Sequence, residues 1–123
     1  MLKDLVLPSP DTPVIDESRL LAEFGGDPEI LAELRDLFLA HVPPLYDELE
    51  AAWNAGNAPE LATHAHTLKG ACATYGAPRM SQVCKEIELL ARQGDLESAE
   101  AYRDYLVKEY AALSEAITSV GAD

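Results

Sequence analysis

Positive charge is scarce in this chain: nine Lys and Arg stand against 22 Asp and Glu in 123 residues, a formal net charge of −13. That balance excludes nucleic acid and anionic membranes as partners, since both select basic surfaces. No apolar run reaches 18 residues, and no N-terminal apolar stretch ends in a small-residue cleavage site. A spanning helix and a secretory leader are therefore not expected, and the chain reads as soluble and cytoplasmic. Only two cysteines occur, Cys72 and Cys84, and both fall on predicted helices. A disulfide framework is excluded, and reduced, packed thiols are expected. Aromatics are 7% of the chain and β-branched residues are thin through its middle, which argues against a sheet. No Gly-rich nucleotide loop is present, so the chain is not expected to use ATP itself.

Leu and Ala are abundant, within a 48% apolar content, and both favour helices. Residues 1–13 carry Pro8, Pro10 and Pro13 and no period, so they read as an extended or disordered lead to a single domain over 14–123. A short helix is predicted from about Asp16 to Phe24, stopped by Gly25-Gly26. Asp27-Pro28 starts a second helix, to about Ala55, with the stripe Leu31, Leu34, Phe38, Val42, Leu45, Leu49 and Ala52. Pro43 and Pro44 interrupt it, and because the stripe keeps phase on both sides a kink is expected rather than two helices.

Asn57 to Pro59 open a third helix with Leu61, Ala65, Leu68, Cys72 and Tyr75 inward, ended by Gly76. Pro78 opens a fourth with Met80, Val83, Ile87, Leu90 and Ala91 inward, beside a polar row of Ser81, Lys85, Glu88 and Arg92. After Gly94-Asp95 a last helix is predicted from about Leu96 to Val120, with Ala99, Tyr102, Leu106, Tyr110, Leu113 and Ile117 inward. Four long amphipathic helices on short turns predict an all-α, up-down-up-down antiparallel four-helix bundle with a short extra N-terminal helix. A bundle of this size is self-sufficient as a monomer.

The stretch His64-Ala65-His66-Thr67-Leu68-Lys69-Gly70 concentrates the chemistry. His66, Lys69 and Gly70 stand at i, i+3 and i+4, on one face of the third helix. Neutral imidazole is a nucleophile near pH 7 that can take and release a phosphoryl group, and a lysine one turn away supplies charge for its oxygens. A glycine inside a helix costs about 1 kcal/mol relative to alanine. Free space for a docking partner is a reason to keep it there. His64, about 200° round the helix from His66, is expected to flank or pack, and that separation disfavours a two-histidine metal site. His41 reads as a flanking residue before the prolines. From Leu61 to Arg92 four basic residues (Lys69, Arg79, Lys85, Arg92) meet two acidic ones (Glu86, Glu88), a local +2 that leaves −15 elsewhere.

The run His66-Thr67-Leu68-Lys69-Gly70, with Gly76 and then Cys84-Lys85-Glu86-Ile87-Glu88, resembles the histidine-containing phosphotransfer (HPt) domain of bacterial two-component phosphorelays. The likeness runs from about Val14 to Ile117, including Phe24-Gly25-Gly26-Asp27-Pro28-Glu29 and the Arg92-Gln93-Gly94-Asp95 turn. The resemblance implies a helical bundle with an exposed histidine, and relay between aspartates of response-regulator receiver domains, fed by a hybrid histidine kinase. It makes His66 the phosphorylated residue, Lys69 its electrostatic partner, and Gly70 and Gly76 the steric and turn positions. It implies no cofactor on this chain, with Mg2+ only on the partner receiver domain. Glu88 falls where some relatives use a glutamine to hold the ring. What orients His66 therefore stays open, with Gln82 and Arg92 as candidates and Lys85 as a docking residue.

The leading expectation is a free-standing relay intermediate without kinase activity of its own. The alternatives are the phosphoacceptor domain of a hybrid or chemotaxis-type kinase, and a bundle that binds without transferring. The C-terminal Gly121-Ala122-Asp123 reads as a natural end, which favours the first.

Overall fold

The computed structural model describes residues 5–120, and the C-terminal tripeptide lies outside them. All regular structure among the described residues is α-helical: α1 Glu17–Phe24, α2 Pro28–Asn54, α3 Ala58–Thr74, α4 Pro78–Arg92, α5 Leu96–Glu100 and α6 Arg103–Ser119. The starts are chemically marked. Asp27 accepts the Glu29 N–H at 2.9 Å and Asn57 the Glu60 N–H at 3.1 Å, with prolines in the first turns of α2, α3 and α4.

Helices α3 and α4 form the central pair; α2 flanks α3, α6 flanks α4, and α2 touches α6 to close the bundle. The predicted stripes are the core. Phe38, Val42, Leu49, Leu61, Leu68, Val83, Ile87, Leu106, Leu113 and Ile117 are all fully buried, with Leu45 and Tyr110 packed at the edge. Cys72 and Cys84 are free and buried in this core. A hydrogen bond with Cys72, together with burial, holds the Cys84 thiol well above its ordinary range.

Helix α2 is continuous through Pro43 and Pro44. The carbonyls that lose their donors belong to Leu39 and Ala40, which are exposed and so open to solvent as a replacement partner. The last predicted helix, by contrast, is two. Asp95 caps α5 by accepting the Ser98 N–H at 3.0 Å, and the chain then tightens. Ala101 and Tyr102 donate to Ser98 and Ala99, three residues back, before α6 restarts. Tyr102 is buried there and its hydroxyl accepts the Val6 N–H at 2.6 Å. A tightened turn keeps the apolar stripe in phase, which is why the period alone reads as one helix.

The lead is without helix from residue 5 to 13, but it is tied down. Arg79 donates to the carbonyls of Ser9 at 2.9 Å and Thr12 at 3.2 Å while pairing with Glu109. Helix α1 is clasped over the α3–α4 turn. Asp16 N–H donates to the Gly76 carbonyl at 2.8 Å, and Arg19 to the Ala73 carbonyl at 2.6 Å. Gly76 has φ +71, and a Cβ there would stand 3.2 Å from Leu20 Cδ2, so turn and clasp both require glycine.

Candidate functional site

Helix α3 carries His66 outward beside the fully buried Ala65, and the imidazole side chain is 60% exposed. Its register against α4 is set by the Gly76 turn and by Ser81 Oγ, which donates to the Lys69 carbonyl at 3.2 Å. That register brings Glu88 of α4 under the ring. His66 Nδ1 lies 3.1 Å from Glu88 Oε2, and Lys69 Nζ donates to Glu88 Oε1 at 2.8 Å. Arg92, one turn along α4, donates to Glu88 Oε2 through Nε at 2.9 Å and Nη2 at 2.7 Å.

Glu88 is thus a hub for an imidazole, an ammonium and a guanidinium, with its side chain only 8% exposed. Burial alone would raise its pKa, but the hydrogen bonds from Lys69 and Arg92, the charge of Lys69 and the bond from His66 outweigh it and lower it to about 2. A group held there is a carboxylate at neutral pH and can only accept. The neutral His66 ring must therefore carry its proton on Nδ1, which leaves the Nε2 lone pair on the side away from Glu88.

The ring is held by Glu88 itself, not by Gln82 or Arg92. Arg92 acts one step removed, by fixing Glu88, and Gln82 makes no side-chain hydrogen bond among the described residues. Lys69 meets His66 through their shared carboxylate rather than directly. A Cβ on Gly70 would meet no atom within 4 Å, so no packing inside the protein demands glycine there. His64 lies on another side of α3, with Nδ1 3.6 Å from Glu48 Oε2, and His41 Nδ1 lies 3.1 Å from the Tyr75 hydroxyl. Lys85 is exposed and makes no side-chain hydrogen bond or ion pair among the described residues.

Sequence reasoning missed Arg19. It stands on α1, 47 positions before His66, yet it lines the same groove as Lys69 and Lys85. No sequence period links the two, and only the α1 clasp brings them together. Among the described residues no group of three or more His, Cys, Asp or Glu is gathered as a metal site, and no helix is long and apolar enough to cross a membrane.

The chain is 28% identical over 109 residues to the phosphorelay intermediate protein rdeA of Dictyostelium discoideum, a match covering 89% of this chain and 42% of that protein. It therefore spans well under half the length of that relative. Its fold matches the crystal structure of histidine-containing phosphotransfer protein B (HptB) from Pseudomonas aeruginosa with a TM-score of 0.76 and 28% identity, over 90% of this chain and 96% of that one. Residues 33–116, which contain α3, α4 and the whole His66–Glu88 cluster, match the family model of the Hpt domain, and the chain belongs to that family.

Proposed function

We propose that this chain is a phosphorelay intermediary, which accepts a phosphoryl group on His66 from an aspartyl phosphate of one receiver domain and passes it to the aspartate of another. The observation that carries this reading is the pairing of an exposed imidazole with a buried carboxylate, 3.1 Å from Nδ1. In the forward step the Nε2 lone pair forms the N–P bond while the P–O bond to the donor aspartate breaks and that carboxylate leaves. The proton stays on Nδ1, and Glu88 balances the positive charge the ring gains. Return transfer runs the same step backwards onto the acceptor aspartate.

Lys69, one turn from His66, provides positive charge for the phosphoryl oxygens, and the open space at Gly70 admits the partner's catalytic groups. In this reading the chain supplies no ATP site and no metal; Mg2+ belongs to the receiver domain. Its partners are receiver domains and the hybrid kinase that loads them.

The test is to incubate the chain with a phosphorylated receiver domain and follow label on the protein. An acid-labile, base-stable label that vanishes in His66→Gln is expected. Label that persists in His66→Gln would assign the chemistry elsewhere.

A further inference from the structure

Beside the His66–Glu88 cluster, α1, α3 and α4 enclose a groove of about 320 Å³. Three cations line it, Arg19, Lys69 and Lys85, against one carboxylate, Asp16, with Ser81 and Gln82 adding polar groups. The remaining lining is alanine and proline. In a chain of net charge −13 this is a concave patch of local charge +2.

The lining groups differ in how far they are already engaged. Asp16 caps its own helix by accepting the Arg19 N–H, and Arg19 donates to Glu23 and to the Ala73 carbonyl. Lys69 is bound to Glu88. Lys85 and Gln82 have no side-chain partner among the described residues, so their donors face the groove uncommitted. The groove is at the small end of ligand-sized sites, which run from about 300 Å³ upward. It readily admits one side chain and is too small for a helix. Through Lys69 it is continuous with the phosphoacceptor.

We propose that this groove is a docking notch for a single acidic side chain, Asp or Glu, projecting from the receiver domain that exchanges phosphoryl groups with His66. The inference rests on the reading of His66 as phosphoacceptor and adds how the partner is chosen. An acidic chain repels acidic partners at long range, and one carboxylate placed between Lys85 and Arg19 offsets that repulsion while fixing the register of docking beside Nε2. Receivers that present an acidic residue at that place are accepted, and those presenting a basic one are rejected by Lys85 and Arg19.

The test titrates the full chain with unphosphorylated receiver domains and measures Kd at low salt and at about 0.5 M salt, where the Debye length falls to roughly 4 Å. Lys85→Glu is expected to weaken the best-binding receiver about tenfold at low salt, Lys85→Ala about threefold, and both losses shrink at high salt. Lys108→Glu, the same charge reversal at an exposed site on α6, is expected to change Kd less than about twofold. Reversing the matching acidic residue of the receiver to Lys restores binding to Lys85→Glu. Equal losses for Lys85→Glu and Lys108→Glu would reduce the effect to net charge and overturn the notch. Wild-type Kd for Lys85→Glu and Lys85→Ala, with a receiver that still labels His66, overturns the notch alone. Absence of both labelling and binding with every receiver overturns the relay reading together with it.

Discussion

Two carboxylates bonded to arginines behave differently in this bundle, Glu88 being buried and Glu50 only partly so. Glu88, between α3 and α4, has both oxygens engaged by three donor residues. Glu50, between α2 and α6, binds Arg103 at 2.7 Å through Oε2, while among the described residues its Oε1 and the buried Trp53 Nε1 have no hydrogen-bond partner. Arg103 also reaches Asn54 and lies 5.1 Å from the centre of the Trp53 ring. Burial, the Glu50 charge and a hydrogen bond to Glu50 push the Tyr46 hydroxyl up to about 12. The Glu50 cluster ties two helices together and tolerates loose ends. The Glu88 cluster tolerates none, because an unsatisfied or mobile carboxylate under His66 would release the ring and its tautomer. Full satisfaction of Glu88 supports the proposed use of His66 in phosphoryl transfer.

Removing each hub separates the two roles most sharply. Glu88→Ala should cost about 3 kcal/mol in urea denaturation, at the lower end for a broken buried pair because Lys69 and Arg92 can reach solvent. It should also slow phosphoryl uptake by on the order of a hundredfold, since the ring loses its support. Arg103→Ala should cost about 2 kcal/mol and leave uptake unchanged. Equal loss of uptake in the two variants would erase the distinction.

Acid titration gives the next largest effect. Glu88 has a folded-state pKa depressed to about 2 from an ordinary 4.5. Its contribution is therefore complete above pH 4.5 and is lost as pH falls from there towards 2. Wild type should exceed Glu88→Gln in stability by on the order of 2 kcal/mol at neutral pH, and the gap should close across that window. A gap that persists at pH 2 would mean that the charge of Glu88 is not what stabilises α3 against α4.

The smallest change leaves both clusters intact. Gly70→Ala should raise stability by about 1 kcal/mol, because the helix gains propensity and the new methyl meets nothing. It should still slow transfer from a receiver domain severalfold. Faster or unchanged transfer would show that the space above Gly70 is not used by the partner.

Helix periodicity reached most of this architecture because each stripe is a property of one helix. Phe38, Leu68, Ile87 and Leu113 are buried where a step of three or four places them. Two features depend on relations between helices and escaped it. Glu88 stands in a polar row that an antiparallel pairing of helices places beside His66, but its burial follows only once the Gly76 turn and Ser81 set the register of α4 on α3. The local +2 counted along residues 61–92 was similarly redistributed by the fold. Arg79 turns away to Glu109 and the lead, Lys69 and Arg92 converge on Glu88, and of these four Lys85 alone has no ion pair among the described residues, joined in the groove by Arg19 from a distant segment. The break at Ala101-Tyr102 has neither Gly nor Pro to announce it.

The clasp of α1 over Gly76 divides labour within the chain. The residues shared with the family model begin at 33, so His66 and its support lie inside that stretch while Arg19 lies outside it. An eight-residue helix has little helicity of its own and takes its shape from the surface it sits on. Such a segment is an exchangeable wall of the groove: grafting a different α1 onto an unchanged α2–α6 bundle would replace Asp16 and Arg19 while leaving Lys85 and the His66–Glu88 cluster in place.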